Sequence, residues 1–180
     1  MLLGIAIFIG CLVAVFVMIA LHECGHFIAG LGAGIPVDQM KIRFMVFPQY
    51  VALRDGDDWL SPVGDSQRYI ARSMAMIKGK KRAIAYVSGG LLAQTAVFAA
   101  FVLVCRSMAV HRLWVTPVAC ALVALPILYL LADLFATKRA NHPCGDFSGL
   151  WKISPLASVW VTAIVICSHL GLLFYALKSA

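Results

Sequence analysis

The sequence predicts an all-α membrane protein: about four transmembrane helices, with a small membrane-associated β segment in the first cytoplasmic loop. Three observations lead to that prediction. Of 180 residues, 62% are hydrophobic and 13% charged. A typical soluble domain carries about twice that charge, and the mean hydropathy here is +0.92. Four stretches, residues 1–21, 83–105, 113–135 and 155–177, are close to the ~20 apolar residues that cross a ~30 Å hydrocarbon core as helix. The basic residues cluster in particular segments between those stretches. The length suits one compact unit, so residues 1–180 are read as a single polytopic domain.

The first stretch lacks a positive leading region, and its apolar run starts at residue 1. A cleavage site would fall beside His22 and Glu23, so a retained span is expected in preference to a signal peptide. Residues 34–82 are the least hydrophobic part. Within Gln39–Arg54, Lys41, Arg43 and Met45 alternate with Ile42, Phe44 and Val46 until Pro48 breaks the run. Period-two alternation is a strand signal, and a hairpin or short sheet at the membrane surface is expected. Asp55-Gly56-Asp57-Asp58 reads as a polar turn and Ser61–Asp65 as a loop. Tyr69, Ile70, Met74 and Ile77 recur at helical spacing, which predicts a cationic surface helix over Gln67–Lys81, lying on the membrane interface. The second stretch contains Ser88, Gly89, Gly90, Gln94 and Thr95, and the third Pro117 and Pro126. Membrane helices tolerate both features where neighbours re-satisfy the backbone. There is no internal repeat and no low-complexity tract.

Charge placement predicts topology. Lys41, Arg43, Arg54, Arg68, Arg72, Lys78, Lys80, Lys81 and Arg82 lie between the first two stretches, and Lys138, Arg139 and Lys152 between the last two. The loop between the second and third holds only Arg106 and Arg112. The positive-inside rule then puts both termini outside and the first and third loops in the cytoplasm. The chain is thus expected to be a multi-pass protein of the cell (plasma or inner) membrane. The run Lys78–Arg82 abuts a span and meets anionic headgroups, so the net charge of +7 does not point to nucleic acid. The six cysteines, at 11, 24, 105, 120, 144 and 167, show no CxxC spacing, and no disulfide framework is expected.

The chemistry concentrates in His22-Glu23-Cys24-Gly25-His26, at the end of the first stretch. Histidines four apart share one helix face, one turn from each other, and can converge on one zinc ion. Glu23 is then placed as general base beside the metal-bound water. Ionisable residues at a membrane helix end default to function. A catalytic zinc takes three protein ligands, so a third is needed on the same membrane side. Asp146, in the other cytoplasmic loop, fits. Asp133, near the cytoplasmic end of the third stretch, is its main rival, and His142 follows. His111 and His169 are read as non-ligands. Cys24 and Cys144 lie near the site and are read first as small buried hydrophobes. Competing functions are a catalytically silent relative that binds membrane proteins, a haem-holding electron carrier and a metal transporter.

Three segments are similar to those of the site-2 protease family, the zinc intramembrane proteases of the M50 group. His22-Glu23-Cys24-Gly25-His26-Phe27 resembles the first motif, and Phe47-Pro48-Gln49-Tyr50-Val51 the membrane-associated β segment. Gly89-Gly90-Leu91-Leu92-Ala93-Gln94 is similar to an Ala-Gly-Pro-x-x-Asn segment, with Leu91 in place of Pro and Gln94 in place of Asn. The last motif usually reads Asn-x-x-Pro followed by Leu-Asp-Gly; here Asn141-His142-Pro143 is one residue shorter and Phe147 follows Asp146. The resemblance implies Zn2+ on His22, His26 and Asp146, Glu23 as catalytic base, and Gln94 and Asn141 as substrate-binding residues. It also implies cleavage of a transmembrane protein substrate in or near the bilayer.

Overall fold

The computed structural model describes residues 1–178 and is an all-α membrane protein with one small sheet. Four helices are long and apolar enough to cross a membrane: α1 (Leu2–Ala33), α3 (Lys80–Ser107), α4 (Arg112–Ala140) and α6 (Pro155–Lys178). Between α1 and α3 lie β1 (Met40–Arg43), β2 (Tyr50–Asp55), β3 (Asp58–Leu60) and the short helix α2 (Ser66–Met76). A further short helix, α5 (Asp146–Ile153), joins α4 to α6. Large side chains such as Phe8, Phe135, Leu156 and Trp160 stay exposed on the bundle's outside, as expected where lipid rather than water is the solvent.

The helices run past the apolar stretches. α1 continues twelve residues beyond position 21, so the His22–His26 segment lies inside a helix rather than at its end. At 1.5 Å per residue His22 sits about 30 Å along α1, one hydrocarbon thickness from its start. The helix stops at Gly34, whose φ of 98° is a left-handed C-cap that side-chain-bearing residues rarely adopt.

α1 packs chiefly on α3, and their backbones touch. A Cβ on Gly25 would lie 2.5 Å from the Gly89 carbonyl oxygen, and one on Gly89 would lie 2.8 Å from that of Gly25. Small residues allow this approach, as is usual where membrane helices associate by close packing. Below the crossing, Met18, Phe98, Val102, Ala119, Leu122 and Val123 knit α1, α3 and α4 together, with α6 packed alongside. Pro117 and Pro126 are accommodated without ending α4.

The sheet has the order β1-β2-β3, antiparallel throughout, with Ile42 opposite Val51 and Arg54 opposite Trp59. Gly56, at φ 64°, makes the β2–β3 turn where the Asp55–Asp58 turn is expected. Val51, Ala52 and Leu53 are all buried, so the central strand is covered on both faces. Val51 and Leu53 join Ala33, Met40, Ile77 and Tyr86 in a cluster that seats the sheet on the ends of α1 and α3.

The helix expected over Gln67–Lys81 is shorter. α2 ends at Met76, Gly79 turns the chain at φ 97°, and Lys80 and Lys81 open α3. Of its apolar residues, Tyr69 and Ile70 line a cavity and Ile77 is buried against the sheet, while Met74 is 40% exposed. All six cysteines are free.

Candidate metal centre

His22 and His26 project from one face of α1 toward α3 and α5. His26 Nε2 lies 3.0 Å from His22 Nε2, and Asp146 Oδ2 is 3.0 Å from His22 Nε2 and 3.1 Å from His26 Nε2. The three atoms form a near-equilateral triangle. A tetrahedral ion with bonds of 2.0–2.1 Å sets its ligands about 3.3 Å apart, so this triangle needs an opening of only a few tenths of an ångström. His26 Nδ1 faces the carbonyl oxygen of Tyr86 at 3.0 Å. A carbonyl only accepts, so Nδ1 carries the proton and Nε2 of the neutral ring presents a lone pair. That lone pair faces a carboxylate oxygen, and the two acceptors need a cation between them: a metal ion, or a proton on His26. The donor set of two imidazoles and a carboxylate suits zinc.

Space for the histidines comes from Gly90. A Cβ there would lie 2.5 Å from His26 Nε2 and 2.6 Å from His22 Nε2. The glycines of α3 therefore have separate tasks: Gly89 admits the α1 backbone, and Gly90 admits the imidazoles.

Asp146 is the first residue of α5, and its backbone N–H donates to the Tyr129 hydroxyl at 3.1 Å. Burial raises the Asp146 carboxyl, but the His26 and His22 imidazoles outweigh it and hold the group well below the usual carboxylate range. Asp133, the rival third ligand, does not join the cluster. It is 3% exposed and caps α5 from α4: Oδ2 accepts from Ser148 N at 2.9 Å, and Oδ1 accepts from the Ser148 and Thr137 hydroxyls. The N-cap residue Gly145 has no side chain, and a Cβ there would come within 2.7 Å of Asp133 Cγ. A carboxylate at a helix N-terminus is favourable, and here it fixes the element that carries Asp146.

Glu23 is 8% exposed, and its Oε2 accepts from Val51 N at 2.9 Å. The central strand thus holds this carboxylate beside the two histidines. A cavity of about 450 Å³ opens onto Glu23, His22, His26 and Asp146, within the range of pockets that hold small ligands. Gln94 lines it, 3% exposed, with Nε2 lacking a hydrogen-bond partner among the described residues. α2 forms one wall, joined to α3 where the Tyr69 and Tyr86 hydroxyls meet at 2.7 Å. Burial, with Tyr86 adjacent, pushes the Tyr69 phenol well above its ordinary value.

Other sequence-predicted residues fall elsewhere. Asn141 is the exposed left-handed C-cap of α4 at φ 57° and does not line the cavity; the shortened Asn-His-Pro segment ends a helix there, a conformation Asn tolerates. His142 Nδ1 donates to the carbonyl of Pro143, within its own loop. Cys144 lines the cavity, but its thiol donates to the His142 carbonyl; Cys24 does not line it, and neither joins the group that could hold a metal ion. His111 caps α4, and His169 is buried against Phe98 in the bundle. Tyr129 carries no sequence signal; Gly90 and Gln49 lie in the segments that carry the resemblance without a role assigned to either, and Asp133 pairs with a backbone group, Ser148 N, rather than with metal.

Fold and cluster together define a class: a helical membrane protein in which two histidines and an aspartate converge beside a buried glutamate, at the mouth of a cavity roofed by a small sheet and a short helix. Comparison with models of known protein families, with curated proteins and with solved structures finds no match to this chain.

Proposed function

We propose that the chain is a zinc-dependent intramembrane endopeptidase that hydrolyses a peptide bond in or near a transmembrane segment of a membrane protein. One observation carries the reading: His22, His26 and Asp146, up to 124 positions apart in sequence, bring their ligand atoms within 3.0–3.1 Å of one another, with the Glu23 carboxylate in the same cavity. Zinc in such a site polarises a scissile carbonyl and lowers the pKa of water to about 7.

The chain's own residues supply the rest. Glu23 takes the proton from the attacking water and returns it to the leaving amine. The Val51 N–H orients the Glu23 carboxylate through one oxygen and leaves the other free for that proton. Gln94 offers an amide to substrate backbone. A transmembrane substrate must unwind before attack, and its extended backbone needs partners in apolar surroundings. Because Val51 N donates to Glu23, its side of β2 faces the site, and β3 pairs only from Leu53 onward. An extended segment would lie along that length of β2; the Val51 N–H is already given to Glu23, so backbone partners there would include side-chain amides such as Gln94. The clustering of Lys and Arg in the loops beside the cluster favours a site facing the cytoplasm.

The test uses protein purified in mild detergent. One zinc per chain is expected in the wild type and in Glu23→Gln, and loss of zinc in His22→Ala and Asp146→Ala. Glu23→Gln should abolish cleavage of a fluorogenic single-span peptide. A catalytically silent relative would show no cleavage in the wild type either, and a chain that stays metal-free when zinc is supplied would end the hydrolase reading.

A further inference from the structure

We infer that the carboxamide of Gln49 is a peptide-backbone subsite, a group that takes one carbonyl and one N–H of an extended substrate segment. The inference rests on the peptidase reading above and names a residue that reads main chain rather than side chains.

Gln49 is 4% exposed and lines the cavity shared by Glu23 and His26. Neither its Oε1 nor its Nε2 has a hydrogen-bond partner among the described residues. Buried polar groups in proteins are nearly always paired, and an amide with both ends unpaired in an apolar wall is disfavoured. The bare packing of the cavity gives no reason for Gln at this position, since an apolar side chain of equal length would fill the same space without that cost. A ligand that brings one acceptor and one donor supplies the missing pair.

Position identifies the ligand. Gln49 directly precedes β2 and lies two residues from Val51, whose N–H holds the proposed base. Two extended residues span about 7 Å, so the amide sits within a peptide unit or two of the bond to be cut. A carboxamide presents one C=O and one NH2 in a single plane. An extended residue presents its own N–H and C=O toward the same side, and the two patterns match. The group carries no charge and would pair only with main-chain groups, so it is indifferent to sequence. A helical segment has those same backbone groups satisfied internally and gains nothing there. The subsite therefore selects unwound chain over helix. Gln94 Nε2, also buried and unpaired in the lining of the same cavity, adds a second donor of the same kind.

The test compares zinc-loaded wild type with Gln49→Met, a substitution of similar length. Three probes are used: acetohydroxamate, a leucine-rich tripeptide hydroxamate, and the same tripeptide with its backbone amides N-methylated. In the wild type, N-methylation is expected to weaken binding about 10- to 100-fold, the effect of one or two lost hydrogen bonds with a buried amide left unpaired. In Gln49→Met, the tripeptide loses affinity by a similar factor, the N-methyl penalty largely disappears, and acetohydroxamate binding is unchanged. Ligand-free Gln49→Met should melt at or above the wild-type temperature, because an unpaired amide has been removed. An N-methyl penalty unchanged by the substitution would overturn the inference. So would a lowered melting temperature, which would mean that the amide serves the free fold. If acetohydroxamate does not bind the zinc-loaded wild type, the peptidase reading itself fails.

Discussion

Replacing Gly90 with Ala tests the proposed metal site directly. The added methyl would lie 2.5 Å from His26 Nε2, 2.6 Å from His22 Nε2 and 2.7 Å from His22 Cε1. Ordinary contacts begin near 3.4 Å, so the imidazoles must retreat by about 0.8 Å, several times the ~0.2 Å by which metal–ligand distances vary. Both rings belong to α1, which is pinned to α3 at the Gly25–Gly89 contact, so neither helix can easily yield. Overpacking of this kind costs about 1–3 kcal/mol of stability. The metal suffers more. Disturbing outer-shell partners alone weakens metal sites about 10- to 100-fold, and this methyl strikes the ligand atoms themselves, so a loss beyond about 100-fold is expected. Zinc content after purification, followed by competition with a chelator of known affinity, measures it. Gly10→Ala, where a Cβ meets nothing within 4 Å, is the control and should bind zinc normally. If Gly90→Ala retains one zinc per chain at wild-type affinity, the assignment of His22 Nε2 and His26 Nε2 as ligand atoms is refuted.

Asp133→Ala removes the acceptor of Ser148 N and of two hydroxyls; zinc affinity should drop about 10- to 100-fold, and Asp133→Asn should recover part of it. Equal zinc affinity in Asp133→Ala and wild type would show that α5 needs no such anchor. Val51→Pro deletes the N–H that Glu23 accepts. Turnover should fall at least about tenfold with zinc content unchanged, because the base loses its orientation but the ligands do not move. Tyr69→Phe leaves the Tyr86 hydroxyl without its 2.7 Å partner and should lower stability by about 1–2 kcal/mol in a denaturation measurement, with zinc retained.

Much of the site was legible because two patterns are local. The four-residue spacing of His22 and His26 fixes a shared face on any helix, and charge bias alone placed Asp146 on the same membrane side as that face. The choice between Asp146 and Asp133 was not legible, because it depends on α5. Gly145-Asp146-Phe147-Ser148 reads as a loop, with no capping side chain at Gly145, and the cap arrives from Asp133, on a different helix. The helix ends are not legible for a related reason. Hydropathy marks what lipid touches, but α1 continues past residue 21 because its last turns bury Gly30 and Ala33 against the sheet and α3. Asn141 looked like part of a site by resemblance and is a C-cap by conformation. Gln49 lies in the segment similar to the family's β segment, but nothing in the sequence gives it a role of its own, since an amide's lack of partners is a property of the assembled cavity.

The proposed ligands are supported independently of one another, which bears on how they would bind a metal. His26 is oriented by the Tyr86 carbonyl on α3. Asp146 is oriented by Tyr129 on α4 through its N–H, and by Asp133 through the helix it begins. Glu23 is oriented by β2. None of these contacts requires an ion, so the triangle is largely formed by the fold, and little ordering cost remains to be met when metal binds. What the fold does leave is a buried carboxylate facing an imidazole lone pair, an arrangement that favours a cation. Such a site should bind zinc tightly without depending on it to fold. Chelation should then lower the melting temperature by simple linkage, in proportion to the logarithm of free zinc over its dissociation constant, while helical content stays unchanged. Collapse of helical content on chelation would show instead that the ion organises the bundle, and that the supports from Tyr86, Tyr129 and Asp133 are too weak to hold the ligands alone.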